Sequence, residues 1–345
     1  MKIVFFEAPK VEQFSFPQFF NGVEVVFFEE KLNENSIEKA KDADVISVFV
    51  ASLINKNIID AMSNLKFIGT RSTGFDHIDC AYAATKGIKV SNVPAYGSYT
   101  VAEFAFTLIL SLSRNIIKAN NYITESLDFN YFSNMEGFDL NNKTLGIIGT
   151  GKIGKNVVKI AKGFNMNVIA HDLYPDLVFA KENNFVYKSL TEVVSEADII
   201  TLHTPYNKDD GHLINKENIS KMKKGVYLIN TARGELVDTE ALVFGLKEGI
   251  IAGFGADVLE DEKKMKEGAS FLASGKATEE EKRIIGFNHE LMKMSNVIIT
   301  PHIAFYTRDA VALILKTTVD NIQGFLNGSP INLVSVVEQN SLRDK

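Results

Sequence analysis

The chain has 345 residues, of which 46% are hydrophobic and 23% charged, with a formal net charge of −6. That length suggests about two domains of ordinary globular composition, and the acidic balance argues against nucleic acid or an anionic membrane as a partner. The single cysteine, Cys80, excludes an intrachain disulfide and suits a reducing compartment. Only a short apolar run, Ile3 to Phe6, lies near the start, and no run approaches the roughly 18 apolar residues of a membrane span, so the expected location is the cytoplasm.

In chain order, β-rich runs alternate with helical patterns. The first series is KIVFF (2–6), ADVISVFV (43–50), KFIGT (66–70) and KVSNV (89–93). The second is TLGIIG (144–149), NVIAHD (167–172), ADIITLH (197–203), VYLINT (226–231), AGFGADV (252–258) and NVIIT (296–300). Near-continuous apolar runs indicate parallel strands buried on both faces, and the helical segments between them imply βαβ units in doubly wound sheets. Two series imply two α/β domains. Between them a helix is expected from Thr100, which with Glu103 matches a capping box. Its run from Val101 to Leu112 is apolar on nearly every side, so the helix should be buried. Residues 261–283 are charged and rich in Gly, Ala and Ser, and are expected to form an exposed insertion with a short helix.

Residues 149–154 read GTGKIG, a G-x-G-x-x-G pattern of Gly149, Gly151 and Gly154 enclosing Lys152 and Ile153. A strand precedes it and a helical pattern follows, which is the context of a dinucleotide fingerprint. Gly149 allows the tight turn, Gly151 lets backbone approach a pyrophosphate, and Gly154 lets helix and strand pack closely. The helix N-terminus offers free N–H groups and a favourable dipole to the phosphates. Asp172 closes the next strand, where an acid accepts hydrogen bonds from the adenosine ribose. It would repel a 2′-phosphate, and the residues after it, Leu173, Tyr174 and Pro175, are not basic. NAD is therefore expected over NADP.

Ligands of doubly wound sheets bind at the carboxyl ends of strands. Arg233 follows one strand, Asp257, Glu260 and Glu262 follow the next, and His302 follows the last. An Arg, an acid and a His would thus meet in the crevice that holds the dinucleotide. The other histidines, His77, His171, His203, His212 and His289, show no metal-ligand spacing, so no metal is expected.

The motifs GTRSTGFDHID (69–79), NVPAYGSYTVAEFA (92–105), KTLGIIGTGKIGKNV (143–157), NTARGELVD (230–238), GADVLEDE (255–262) and TPHIAFYT (300–307) occur in this order. With them the chain resembles the D-isomer-specific 2-hydroxyacid dehydrogenase family, and looks most like its D-lactate dehydrogenase branch. The resemblance runs from about residue 43 to 320. It implies an Arg–Glu–His active site of Arg233, Glu262 and His302, with Glu260 as the alternative acid. It further implies cofactor contacts at Thr204, Pro205, Thr231, Ala232, Arg233 and Asp257, the last near the nicotinamide carboxamide. Substrate contacts are implied at Ser72, Thr73 and Gly74, whose backbone N–H groups would hold the carboxylate, and at Tyr96, Arg233 and Phe305, with Phe49 a weaker candidate.

These types suit the chemistry. A planar guanidinium binds a carboxylate and polarises the adjacent ketone. A histidine beside a carboxylate can protonate the oxygen that becomes negative on hydride transfer. By the resemblance, the fold is α/β, two Rossmann-like doubly wound parallel-sheet domains with an interdomain active-site cleft. A discontinuous substrate domain (1–99 and 302–345) would flank an NAD-binding domain (100–301), and the helix from Thr100 would make a homodimer contact. The implied reaction is NAD-dependent interconversion of a small 2-oxo acid and its D-2-hydroxy acid. Hydroxypyruvate or glyoxylate reduction is the alternative, and an NAD-sensing corepressor is the rival from another class. Formate dehydrogenases of the family carry Gln where Glu262 stands, and phosphoglycerate enzymes often carry a further regulatory domain. Both activities are therefore disfavoured.

Overall fold

The computed structural model describes residues 1–131, 135–262, 264, 265, 268, 272, 275 and 277–334. They divide into two compact units, one of Met1–Tyr96 with the chain from Tyr306 onward, the other of Gly97–Phe305.

The first unit holds strands β1 (Lys2–Phe5), β2 (Glu24–Phe27), β3 (Val45–Val48), β4 (Phe67–Thr70) and β5 (Lys89–Ser91). They form one parallel sheet in the order β2-β1-β3-β4-β5, one of the two common doubly wound orders. Every residue of β3 and β4 is buried, because successive side chains feed opposite faces. Val4, Ile46 and Ile68 pack under Ile58, Ile59 and Ala83 on one side. Ile3, Phe5 and Phe67 meet Val319 and Ile322 of the helix Arg308–Leu326 on the other. Phe325 of that helix stacks on Phe67 with ring centroids 4.7 Å apart, so the returning chain completes this unit.

The second unit holds β6 (Thr144–Ile148), β7 (Asn167–His171), β8 (Val186–Tyr187), β9 (Ile199–Leu202), β10 (Val226–Asn230), β11 (Ile251–Ala256) and β12 (Val297–Ile299). Their order is β12-β11-β10-β9-β6-β7-β8, all parallel. The order reverses between β6 and β9, and such a switch point opens a crevice at the strands' carboxyl ends. All ten expected strands are present. The two that were not foreseen, β2 and β8, are edge strands whose residues are partly buried or exposed.

The helix expected from Thr100 runs Ser98–Ser113 and is capped by Gly97 without a side-chain bond, so the Thr100–Glu103 capping box is not formed. The Gly97 carbonyl already accepts from the Val101 N–H at 2.9 Å, which places Thr100 inside the first turn. Glu103 is exposed, while Ala102, Ala105, Phe106, Leu108, Ile109 and Leu112 are buried. Capping boxes do form elsewhere, at Ser189–Glu192 and Thr278–Glu281. The second opens the helix Glu279–Leu291, so the expected insertion ends in a helix; the rest of 261–283 lies in part outside the described residues.

Candidate active site

The glycine motif joins β6 to the helix Lys152–Gly163. Gly149 has φ +93°, and a Cβ there would lie 2.5 Å from the His203 carbonyl oxygen; one at Gly154 would lie 2.0 Å from the Gly149 carbonyl oxygen. These contacts explain two of the glycines by packing alone. Gly151 differs, since a Cβ there would meet nothing within 4 Å. It is the N-cap of the helix, with no side-chain cap, so the first-turn N–H groups beside Lys152 and Ile153 face open space.

Asp172 follows β7 and is half-buried. Its Oδ2 accepts from the Thr150 N–H at 2.6 Å and the Thr150 hydroxyl at 2.8 Å, and its Oδ1 accepts from the Tyr174 N–H at 2.8 Å. Beyond β9, His203 Nε2 bonds the Thr201 hydroxyl at 2.8 Å. Burial depresses its pKa to about 3. His203 Nδ1 and the Thr231 hydroxyl are buried with no hydrogen-bond partner among the described residues. An open helix N-terminus and two orphaned polar atoms at neighbouring strand ends fit a polar ligand such as a dinucleotide. Thr204 and Pro205 follow His203, the first partly buried and the second exposed.

Arg233 stands after β10 on a segment held by Asn230, whose Nδ2 donates to the Arg233 carbonyl at 2.7 Å and whose Oδ1 accepts from the Ala232 N–H at 3.0 Å. Its guanidinium is exposed and donates from Nη1 to the Ala232 carbonyl at 2.8 Å. Gly234 lets this segment lie directly on the next: a Cβ there would sit 2.0 Å from the Leu259 carbonyl carbon. That next segment carries Asp257, Glu260 and Glu262.

The three acids separate by partner. Glu260 accepts from the Thr239 hydroxyl at 2.6 Å and the Thr239 N–H at 3.2 Å, and pairs with His212 Nε2 at 2.9 Å. Glu262 faces His302, whose Nδ1 lies 3.0 and 2.9 Å from its two oxygens. Asp257 is only 1% exposed. It accepts from the Thr300 hydroxyl at 2.6 Å, the Ile303 N–H at 2.9 Å and the Ala304 N–H at 2.7 Å. Burial pushes its carboxyl up, opposed by those three bonds and by His302. Asp257 therefore holds both sides of His302, which itself has φ +59°. A histidine in that left-handed conformation persists only where its surroundings fix it.

In the first unit, Ser72, Thr73 and Gly74 follow β4. The Ser72 hydroxyl donates to the Gly74 carbonyl at 2.6 Å, and the Thr73 hydroxyl donates to the Val93 carbonyl at 2.8 Å. Arg71, just before them, is fully buried; it donates to the Phe6 and Glu7 carbonyls at 2.7 and 2.8 Å and pairs with Glu12 at 3.3 Å. Phe49 and Tyr96 of this unit are partly buried, as is Phe305 at the end of the second. Sequence reasoning missed Thr150, Tyr187, Asn230 and Thr300 as supports of these sites. Only Thr150, inside the glycine motif, carried a positional signal.

Among known proteins, the family model for the NAD-binding domain of D-isomer specific 2-hydroxyacid dehydrogenases matches residues 106–304. A 2-hydroxyacid dehydrogenase homolog of Zymomonas mobilis is 37% identical over 310 residues, covering 87% of this chain and 89% of its own. An aromatic 2-oxoacid reductase of Clostridium sporogenes is 38% identical, covering 88% of this chain and 89% of its own. The crystal structure of D-lactate dehydrogenase from Aquifex aeolicus, complexed with NAD and lactic acid, superimposes with a TM-score of 0.86 at 38% identity, covering 96% of this chain and 98% of that one. NAD is the cofactor. The parallel sheets, the glycine motif and these matches agree: the chain belongs to the D-isomer specific 2-hydroxyacid dehydrogenase family and is an NAD-dependent oxidoreductase.

Proposed function

We propose that this enzyme reduces a small 2-oxo acid to its D-2-hydroxy acid, and runs the reverse reaction, in the manner of a D-lactate dehydrogenase. The observation that carries the reading is the His302–Glu262 pair. A carboxylate only accepts hydrogen bonds, so Nδ1 of His302 carries a proton toward Glu262. Nε2 is then the working atom, a donor in the imidazolium and a lone pair in the neutral ring. When bound, NADH would supply the hydride for reduction of the ketone. His302 delivers its Nε2 proton to the ketone oxygen, while Glu262 stabilises the imidazolium and holds the ring. In oxidation, neutral His302 takes the hydroxyl proton. Arg233 binds the substrate carboxylate and polarises the ketone. Gly149, Gly151, Lys152, Ile153, Gly154, Asp172, Thr204, Pro205, Thr231, Ala232 and Arg233 are assigned to NAD. Asp257, expected near the nicotinamide, is assigned instead to holding His302, because its carboxylate is taken up by Thr300, Ile303 and Ala304. Ser72, Thr73, Gly74, Tyr96 and Phe305 are assigned to the substrate by the sequence resemblance.

The proposal includes a homodimer in the cytoplasm. Ile116, Ile117, Ile123, Leu127, Phe129 and Tyr131 are all exposed along one helix and the loop after it, an apolar surface that a second copy would cover. The deciding experiment measures kcat/KM with NADH for pyruvate, hydroxypyruvate, glyoxylate, 2-oxoisocaproate and phenylpyruvate. Highest kcat/KM for pyruvate supports the lactate reading, and highest for hydroxypyruvate or glyoxylate selects the alternative. No turnover of any of them would defeat both.

A further inference from the structure

Asp172 does not stand alone. The Thr150 hydroxyl that bonds its Oδ2 is also 2.8 Å from the Tyr187 hydroxyl. Tyr187 in turn receives the Asp176 N–H at 3.2 Å. Asp176 is itself fixed, because its side chain caps the helix Leu177–Glu182 by accepting from the Phe179 N–H at 3.0 Å.

The direction of each proton follows from the two ends. Asp176 N–H can only donate, so Tyr187 oxygen accepts there. The Asp172 carboxylate can only accept, so the Thr150 hydroxyl donates to it. The remaining contact must therefore run from the Tyr187 hydroxyl to the Thr150 oxygen. The relay points one way, every O–H bond toward the carboxylate, and such chains polarise in the same sense.

From this geometry we infer that Thr150 and Tyr187 are positioning residues that set the cofactor selectivity of the site. The inference rests on the reading that Asp172 faces the adenosine ribose. A carboxylate offers about four acceptor positions. Thr150 takes two on Oδ2 and the Tyr174 N–H takes one on Oδ1, so the carboxylate is locked with one acceptor position left on Oδ1. A ribose hydroxyl can donate to that position. A 2′-phosphate is mostly doubly ionised at neutral pH, so it offers few protons and meets a fixed negative charge. Without the relay only the Thr150 and Tyr174 N–H groups still hold the carboxylate, so it turns more freely and its penalty against the phosphate shrinks.

The test uses the full-length enzyme and isothermal titration with NADH and NADPH. Thr150→Val keeps the side chain's shape and removes the hydroxyl. It should lower the ratio of the NADPH Kd to the NADH Kd about tenfold, the scale of one hydrogen bond to a charged group. Tyr187→Phe should lower the ratio by about threefold, and Thr150→Ser should keep the wild-type ratio. In Asp172→Ala, adding Thr150→Val should change nothing further. A role in folding alone would shift both Kd values together and leave the ratio fixed. An unchanged ratio in Thr150→Val overturns the inference, and if that variant does not fold, an unchanged ratio in Tyr187→Phe does so. The underlying reading fails separately, by an unchanged ratio in Asp172→Ala itself.

Discussion

His302 presents Nδ1 to both carboxylate oxygens of Glu262, at 3.0 and 2.9 Å, while Glu260, two residues earlier, is occupied by Thr239 and His212. Both glutamates are hydrogen-bonded to histidines, but only one histidine lies on the segment that follows β12. Glu262→Gln should slow reduction by about 10²–10³-fold, within the usual range for general acid catalysis, with the thermal midpoint nearly unchanged. Glu260→Gln should do the opposite. It weakens the charge-assisted bonds at the start of the helix Thr239–Lys247 and should cost about 1–3 kcal/mol of stability with kcat within severalfold of wild type. Steady-state kinetics and thermal melts on both variants check this. A Glu260 variant that loses catalysis while Glu262→Gln retains it reverses the assignment.

Asp257 holds the Ile303 and Ala304 N–H groups and the Thr300 hydroxyl on either side of His302. Asp257→Asn would turn an NH2 group toward at least one of these donors. The His302 loop should loosen, and kcat should fall at least about tenfold through misplacement of the acid. The Kd for NADH should stay within about twofold. Loss of NADH affinity with kcat preserved would instead mark Asp257 as a direct cofactor contact.

Much of this was legible in the sequence, for a physical reason. Strands buried on both faces, such as β3, β4 and β9, are apolar but for a single small hydroxyl residue (Ser47, Thr70 and Thr201), and they read as near-continuous apolar runs. Edge strand β2 does carry a signal, the apolar run Val25 to Phe28, and was overlooked; β8 is only two residues long, Val186–Tyr187, too short to leave one. The Thr100–Glu103 pattern misled because a capping box is a local option, and the Gly97 carbonyl began the helix first. Gly149 and Gly154 were visible because backbone packing leaves no room for a Cβ there, and Asp172 because it closes the strand after that motif. The residues that hold them were not. Tyr187 reaches Thr150 from an edge strand, Asn230 reaches forward to a backbone carbonyl, and Thr300 reaches Asp257 across neighbouring strands. Such contacts depend on strand order, which periodicity does not encode.

Arg71 is the largest fully buried charge in the first unit, and Glu12 is the acid beside it. Burial pushes the Glu12 carboxyl up, against the pull of Arg71. Arg71→Met removes the donors to the Phe6 and Glu7 carbonyls and leaves Glu12 buried without its cation. It should cost about 3–5 kcal/mol in chemical denaturation, the usual penalty for breaking a buried pair. Adding Glu12→Leu should recover part of that loss, since an apolar pair no longer strands a carboxyl. A double variant less stable than Arg71→Met would show that Glu12 does more for the fold than balance Arg71.

His203 gives a pH-dependent expectation. Burial holds its pKa at about 3 in the folded chain, against an ordinary value of about 6.5 in the unfolded one. Below that ordinary value the unfolded chain binds a proton that the folded chain does not, so falling pH favours unfolding. The contribution of His203 to stability is complete above about pH 6.5 and is lost progressively as the pH drops toward 3. Between pH 7.5 and 5 this one group should cost roughly 2 kcal/mol. His203→Gln cannot take up that proton, and its amide can still bond the Thr201 hydroxyl. Urea denaturation of wild type and variant at pH 7.5, 6.5, 5.5 and 5.0 isolates the effect, because every other titrating group is common to both. The stability gap between them should shift in the variant's favour as the pH falls. Parallel pH profiles would mean that His203 takes up its proton equally in the folded and unfolded chain. NADH binding gives a second check: if the dinucleotide bonds the orphaned Nδ1, saturating NADH should stabilise wild type more than His203→Gln at pH 7.5.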